Sequence, residues 1–521
     1  MLTYVICTAL AVAVGVLYPR WRRYTRIRAF KHQHGCKDAA KYPHEDPIMG
    51  SDMTRARLNA MQEGRFFRLY TEQFQKYGKT FEEIWRGKPL INTTEPANLQ
   101  RIAAVGFEDF GKVNPTLILT SKPLQSLELS QEPSVASAPF FGPSIFSDGP
   151  IWRHARSMIK PIFARAELSD IDHLASFSNR FMALLPDDGS MVDVQPLLRR
   201  LFLDVAMDFL FGRPLGFLEP EVPAEATEFS EAFLKAQTLS IQTRESGWLK
   251  FNLSRYTKTK EYKDAYTTVH RYVDKEVARA LRETKGDKPA SEDSPAVRRR
   301  YILLDEMAKQ VRDPVQLRYH VLAVFLPARD STGIAVSNIL FQLARHPHEW
   351  TKLRRVALAI GDAPLTFEKL KSLVEFRYVF HETVRTIGPA ARVWRMAVKD
   401  TVLPVGGGPD QKSPVFVARG TPVVSGTWAM MHDPDLWGDD VEEFKPDRWI
   451  ERKPLWDFVP FWGGPRICPA QQQVLTHLVY LMVRLTQRFE RLENCDPVLE
   501  YVEKINPSVE SMNGVKVAFK N

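Results

Sequence analysis

Phe461-Trp462-Gly463-Gly464-Pro465-Arg466-Ile467-Cys468 is the stretch whose reading decides the fold. It sets one cysteine on a tight turn, close behind an arginine and just ahead of a helix predicted over Gln471 to Arg488. A thiolate is a strong axial ligand for haem iron, and its electron donation favours O–O cleavage. Glycines at 463 and 464 let the backbone turn with no Cβ in the way, so that a flat macrocycle could lie against it. The Arg466 fork can pair with a propionate on that macrocycle. The start of the following helix favours a deprotonated Cys468. A lone cysteine in a glycine-rich loop reads first as a core residue; the glycines, the arginine and the helix together point to a ligand.

The segment resembles the cysteine-loop signature of the cytochrome P450 superfamily, Phe-x-x-Gly-x-Arg-x-Cys-x-Gly. Phe461, Gly464, Arg466 and Cys468 match it, and Ala470 stands in place of the last glycine. The resemblance implies a mainly α fold with small β-sheets and haem b as cofactor. It makes Cys468 the ligand of the iron, with Phe461 and Arg466 among the haem-binding residues.

Three further segments follow the same order. Ser147-Asp148-Gly149-Pro150 breaks the chain, and a helix is predicted from about Pro150. Trp152 and Arg156 share one face of it, where an indole N–H and a guanidinium can both donate to a carboxylate. By itself the pair reads as an ordinary surface cation–π contact; by resemblance it belongs to the family's haem-propionate helix. Val315 to Leu343 reads as a long apolar helix with Pro327-Ala328-Arg329-Asp330-Ser331-Thr332 at its centre. An acid beside a hydroxyl can relay protons. The family places such a pair where dioxygen binds, and Asp330 and Ser331 take those positions. Pro327 and Ala328 depart from the family's small residue and glycine. A proline there frees the Ala323 carbonyl and is expected to kink the helix.

Glu382 and Arg385 form an i,i+3 pair. By resemblance Arg448, in Pro446-Asp447-Arg448-Trp449, joins them in a buried structural triad, because a buried charge must be paired. Arg395 stands where the family often has another propionate-binding arginine. Gly406 to Asp410 lacks phosphate-loop spacing and reads as a hairpin loop.

With 521 residues, 44% hydrophobic and 26% charged, the chain can bury a large core. The polar stretch Arg282 to Arg300 reads as a surface loop. Four irregularly spaced cysteines give neither a disulfide framework nor a zinc pattern. Leu2 to Tyr18 is apolar and Pro19 is expected to end it, near the roughly 20 residues that span a bilayer. Arg20 to Lys37 is basic with no acid until Asp38, which places the following domain on the cytoplasmic side. A cleaved signal peptide is the competing reading, but no basic region precedes the apolar run. The expected organisation is a transmembrane signal anchor at 1–19, a basic linker at 20–43 and a catalytic domain at 44–521, in the endoplasmic reticulum membrane. The formal charge of +9 is largely this collar, which suits membrane lipid headgroups. No nucleic-acid motif accompanies it.

Asp400 to Pro404, Ser413-Pro414, Asp208 to Gly212 and the cysteine loop resemble the fungal alkane- and fatty-acid-hydroxylating branch. Pro469-Ala470, Val393 and the placement of Gly388 and Pro389 depart from it. These changes suit another lipophilic substrate, such as a polyketide or terpenoid intermediate. The resemblance implies a monooxygenase that uses O2 and electrons from NADPH-cytochrome P450 reductase. Two other readings are a reductase-independent haem-thiolate isomerase or dehydratase, which would not need Asp330-Ser331, and a non-catalytic haem protein. Substrate-contacting loops are expected within Phe107 to Phe146 and around Val393.

Overall fold

The computed structural model describes residues 2–112, 138–166, 171–245, 253, 257–284, 301–361, 363–388, 392–506 and 508–521. Most of the expected surface loop at 282–300, Pro389, and much of the substrate-loop stretch 107–146 lie outside them. Helices dominate, with one six-stranded sheet and three smaller ones.

The central helix, Pro314–Arg345, is capped by the Asp313 carboxylate, which accepts from Gln316 N, and is buried along most of its length from Leu317 to Ala344. A helix so buried is apolar all round rather than on one stripe. It packs against the helix Val194–Phe211, also almost wholly buried. That helix ends at Gly212 with φ +83°, a left-handed C-terminal residue that glycine adopts without strain. The larger core joins the second half of the central helix to Val374–Ile387 and to Gln471–Arg488. A second core fills the space between its first half and the helices Ala224–Glu245 and Lys260–Glu283.

The six-stranded sheet runs in the order Ala40–Lys41, Thr80–Trp85, Lys88–Thr93, Pro422–Ser425, Val393–Ala397, Phe110–Gly111. Its edge matters most for the site. Phe110 pairs with Ala397 and Gly111 with Met396 in antiparallel register, which brings Lys112 beside Arg395. The segment Thr401–Gly407 pairs with Ser413–Val417, so the glycine run closes a hairpin as the sequence indicated.

The N-terminal helix differs from expectation. It runs from Leu2 to Gln33 without stopping at Pro19, so residues 20–33 are helical rather than linker. An interior proline removes one backbone bond and crowds the preceding turn, at about 3 kcal/mol, but need not end a long helix. The last turns dock on the hairpin: Arg26 Nη2 lies 2.8 Å from Asp400 Oδ2, and Phe30 packs edge-on to Phe416 at 5.5 Å. Among the described residues no helix is long and apolar enough to cross a membrane.

Candidate active site

The helix Gln471–Arg488 has the bounds read from its sequence, and Cys468 stands just before it. Cys468 N–H donates to the Phe461 carbonyl at 3.0 Å, which closes the loop. Trp462 takes φ +63°, a left-handed conformation rare for an aromatic residue, and lines the cavity. Phe461 goes the other way and stacks on Phe380 at 5.7 Å, behind the loop. The glycines are needed where the loop packs on its protein neighbours. Gly464 has φ +63°, and a Cβ there would come 1.9 Å from the Ala103 carbonyl; one on Gly463 would meet the Trp456 ring at 2.5 Å.

Cys468 opens on a cavity of about 330 Å³ whose walls are mainly apolar. The central helix contributes Ala323, Pro327, Ala328, Ser331 and Thr332 to it. Trp152 and Arg156 line it from the helix Gly149–Ala166, as do Arg395 from its strand and Arg466 from the cysteine loop. The structure thus gathers Trp152, Arg156, Arg395, Arg466, Cys468 and Ser331 around one space. Phe461 and Asp330 are not among the lining residues.

The electrostatics of one end of this cavity test whether haem b fits. Arg466 Nη2 pairs with Asp148 and donates to the Ser147 carbonyl at 3.0 Å, but its Nε and Nη1 are buried without partners. Its guanidinium lies 4.4 Å from the Trp152 ring, and Arg395 lies 4.9 Å from Trp462. Lys112 also lines the cavity. Burial, with Arg466 and Arg395 nearby, holds the Lys112 ammonium well below its usual range. Burial, with Arg466 beside it, brings Arg395 down to about 10. Burial likewise lowers Arg156. Several buried cations gathered around the Asp148 carboxylate, with two guanidinium N–H groups unmet, are suited to two further carboxylates. The propionates of haem b are such a pair, and the cavity wall offers Cys468 as a thiolate donor, so the residues fit the group.

Burial pushes the Cys468 thiol up, against the opposing pull of the Ala470 N–H and Arg156. The Ala470 N–H at the start of the helix and Arg156 both favour the thiolate, in the direction read from the sequence. Cys36, Cys468 and Cys495 are free thiols.

On the central helix Ser331 Oγ donates to the Pro327 carbonyl at 2.8 Å, and the helix runs on through Pro327. Asp330 is paired with Arg329. Thr332, buried and lining the cavity, is a second hydroxyl that the sequence reading did not single out. Lys112 and Trp462 were missed too: one gains its place from strand pairing, the other from a positive φ, and neither leaves a mark in local sequence.

Glu382, Arg385 and Arg448 come together behind the cysteine loop. Arg448 Nε donates to Glu382 Oε1 at 2.9 Å, and Trp449 Nε1 to Oε2 at 3.0 Å. Arg385 Nη1 donates to the carbonyls of Met431 and Val441 at 3.1 and 2.6 Å, tying the meander after the sheet to the helix.

The cytochrome P450 family model matches residues 47–499, and the chain belongs to that family. It is a monooxygenase with haem b, whose iron has an axial cysteine thiolate, and it uses O2, a small-molecule substrate and a redox partner as electron donor. Several similar proteins are fungal enzymes named cytochrome P450 monooxygenase. Among them iliC of Neonectria sp. is 36% identical over 95% of this chain and 94% of its own. The apdE enzyme of Emericella nidulans is 33% identical over 99% and 93%, and himC of Aspergillus japonicus 32% over 98% and 88%.

Proposed function

We propose that this monooxygenase hydroxylates a lipophilic substrate, either a fatty acyl or alkyl chain or a polyketide or terpenoid intermediate, with Cys468 as the iron ligand. The observation that carries the reading is that Cys468 and Pro327, Ala328, Ser331 and Thr332 of the central helix line the same apolar cavity, with the buried cations at its edge. Haem b, when bound, supplies the iron centre that activates dioxygen. Trp152, Arg156, Arg395 and Arg466, with Lys112 beside them, hold its propionates. Arg466 is pre-set for this by its bond to Ser147 and its pairing with Asp148, which leave two N–H groups free. Ser331, a lining residue whose hydroxyl donates to the Pro327 carbonyl, passes a proton that Asp330 supplies. The apolar walls keep bulk water from competing for that proton.

Electrons come from NADPH through NADPH-cytochrome P450 reductase. The enzyme sits on the endoplasmic reticulum membrane with its catalytic domain facing the cytoplasm. Support for the membrane comes from the apolar run Leu2 to Tyr18, the basic residues after it, and exposed Trp21, Tyr24 and Ile48. Incubating the holoenzyme with NADPH, reductase and a panel of fatty acids, polyketides and terpenoids, read by mass spectrometry, tests the substrate class. Failure to oxidise any of them would remove the lipophilic reading. Cys468→Ala tests the ligand: the thiolate-type absorption band of the reduced carbon monoxide complex should vanish, and its persistence would remove Cys468 from the site.

A further inference from the structure

Consecutive residues of a helix point about 100° apart and do not face each other. Arg329 and Asp330 nevertheless meet through two bonds. Arg329 Nε lies 3.0 Å from Asp330 Oδ1 and Nη2 lies 2.5 Å from Oδ2. Arg329 is 4% exposed, so this ion pair is not a surface contact weakened by solvent. The guanidinium sits 4.9 Å from the Phe233 ring and Nη2 lies 3.4 Å from Gln237 Oε1, both on the helix Ala224–Glu245. Ala328, Ser331 and Thr332 line the cavity, whereas Arg329 and Asp330 do not. The acid that would supply protons is therefore drawn toward a neighbouring helix, away from the place where a proton is used. Arg329 Nη1 is buried with no hydrogen-bond partner. A rearrangement that gives this donor a partner is favoured.

We propose that Arg329 is a positioning residue that clamps the Asp330 carboxylate against the helix Ala224–Glu245, so that Asp330 reaches the cavity only when the clamp opens. This rests on the reading of Asp330 as proton donor. The clamp restrains proton delivery: any movement of Ala224–Glu245 that takes Phe233 and Gln237 away from Arg329 loosens it, and return of that helix restores it. Arg329 touches none of the reacting atoms and acts through Asp330 alone.

Opposite responses of two variants test this. NADPH consumption is measured in the substrate-free holoenzyme with reductase, alongside haem content. Asp330→Asn should slow consumption by about 10-fold or more, since a positioned acid is worth on the order of 10²–10⁴ in rate. Arg329→Gln should instead raise it several-fold, because the acid is no longer held back, with haem content unchanged. The double variant should behave as Asp330→Asn alone, the non-additivity expected of residues acting as one unit. Arg329→Lys keeps the charge but lacks the fork, and should fall between wild type and Arg329→Gln. If Arg329→Gln is fully haem-loaded and consumption is unchanged or slower, the clamp is overturned while the proton-donor reading stands. If Asp330→Asn consumes NADPH at the wild-type rate, that reading fails and the clamp with it. Should Arg329→Gln not retain haem, Arg329→Lys decides: consumption at or below the wild-type rate overturns the clamp.

Discussion

Arg385 grips Glu382 with two bonds, Nε to Oε2 at 3.0 Å and Nη2 to Oε1 at 2.8 Å, and solvent reaches neither side chain. With the bonds from Arg448 and Trp449 and that from Lys445 N at 3.0 Å, the carboxylate is satisfied on every side. Removing one partner of such a pair leaves an uncompensated buried charge, at about 3–5 kcal/mol. Arg385→Ala is therefore expected to lower the unfolding free energy by that much, seen as a lower denaturant midpoint, and to lose haem, with no change in which product forms. Arg385→Lys should be nearly as damaging, since an ammonium cannot reach both carboxylate oxygens and the Met431 and Val441 carbonyls together. A variant that keeps full haem and its midpoint but alters the product would place the triad in the substrate site instead.

What the sequence could and could not reveal divides by how each feature arises. The central helix and the cysteine helix announce themselves, because long apolar runs and a capping residue such as Asp313 are local signals. The Glu382–Arg385 pairing is local too, at i,i+3. Lys112 is different: its place beside Arg395 comes from the pairing of Phe110–Gly111 with Met396–Ala397, distant in the chain. Phe461 occupies the signature position, yet the left-handed turn at Trp462 gives the cavity to the next side chain. Arg329 and Asp330 join against the rule for neighbouring residues, with Phe233 and Gln237 from another helix beside the guanidinium. At Pro19 the expected breaker was overridden, and the helix runs on to contacts with Asp400 and Phe416.

Acid should destabilise the protein in a defined window. Burial pushes His320, His381, His432 and His477 each down to about 4. Above the ordinary histidine value of about 6.5 these rings are neutral in both folded and unfolded chains, and their contribution is fully present. As pH falls from about 6.5 to 4 the unfolded chain binds protons that the native one does not. Each ring then removes stability with a slope approaching 1.4 kcal/mol per pH unit. Melting temperature should drop across that range, and His381→Gln should make the drop shallower by about one proton. A melting temperature flat from pH 6.5 to 4.5 would show that these rings are protonated in the fold.

Truncation separates the two parts of the N-terminal helix. Removal of residues 1–22 takes away the apolar run and, of the basic collar, Arg20 and Arg22, but keeps the Arg26–Asp400 and Phe30–Phe416 contacts. That form is expected to carry haem and to leave the membrane pellet on carbonate extraction. Removal of residues 1–37 should be soluble as well but less stable, by about 1–3 kcal/mol, since those contacts and the bond from Lys37 N to Pro414 O go too. Carbonate-resistant binding of either form would move the anchor to another surface.

Ser331→Ala isolates the hydroxyl step. Ser331 Oγ donates its proton to the Pro327 carbonyl at 2.8 Å, so its lone pairs remain open to accept from a donor in the cavity. Deleting the oxygen removes one member of the relay and leaves the helix bond pattern, the cavity walls and the cation cluster in place. Haem content and substrate-induced spectral shifts should persist. Product formed per NADPH should fall by roughly 100-fold, at the lower end of what a proton relay contributes, and peroxide should account for the difference. Ser331→Thr adds a methyl that fixes the rotamer, and should hold or improve that ratio where Pro327 leaves room. Thr332, which lines the same cavity, supplies the internal control. If Ser331→Ala keeps the product ratio while Thr332→Val loses it, the relay runs through Thr332, and the hydroxyl assignment moves one residue along the helix.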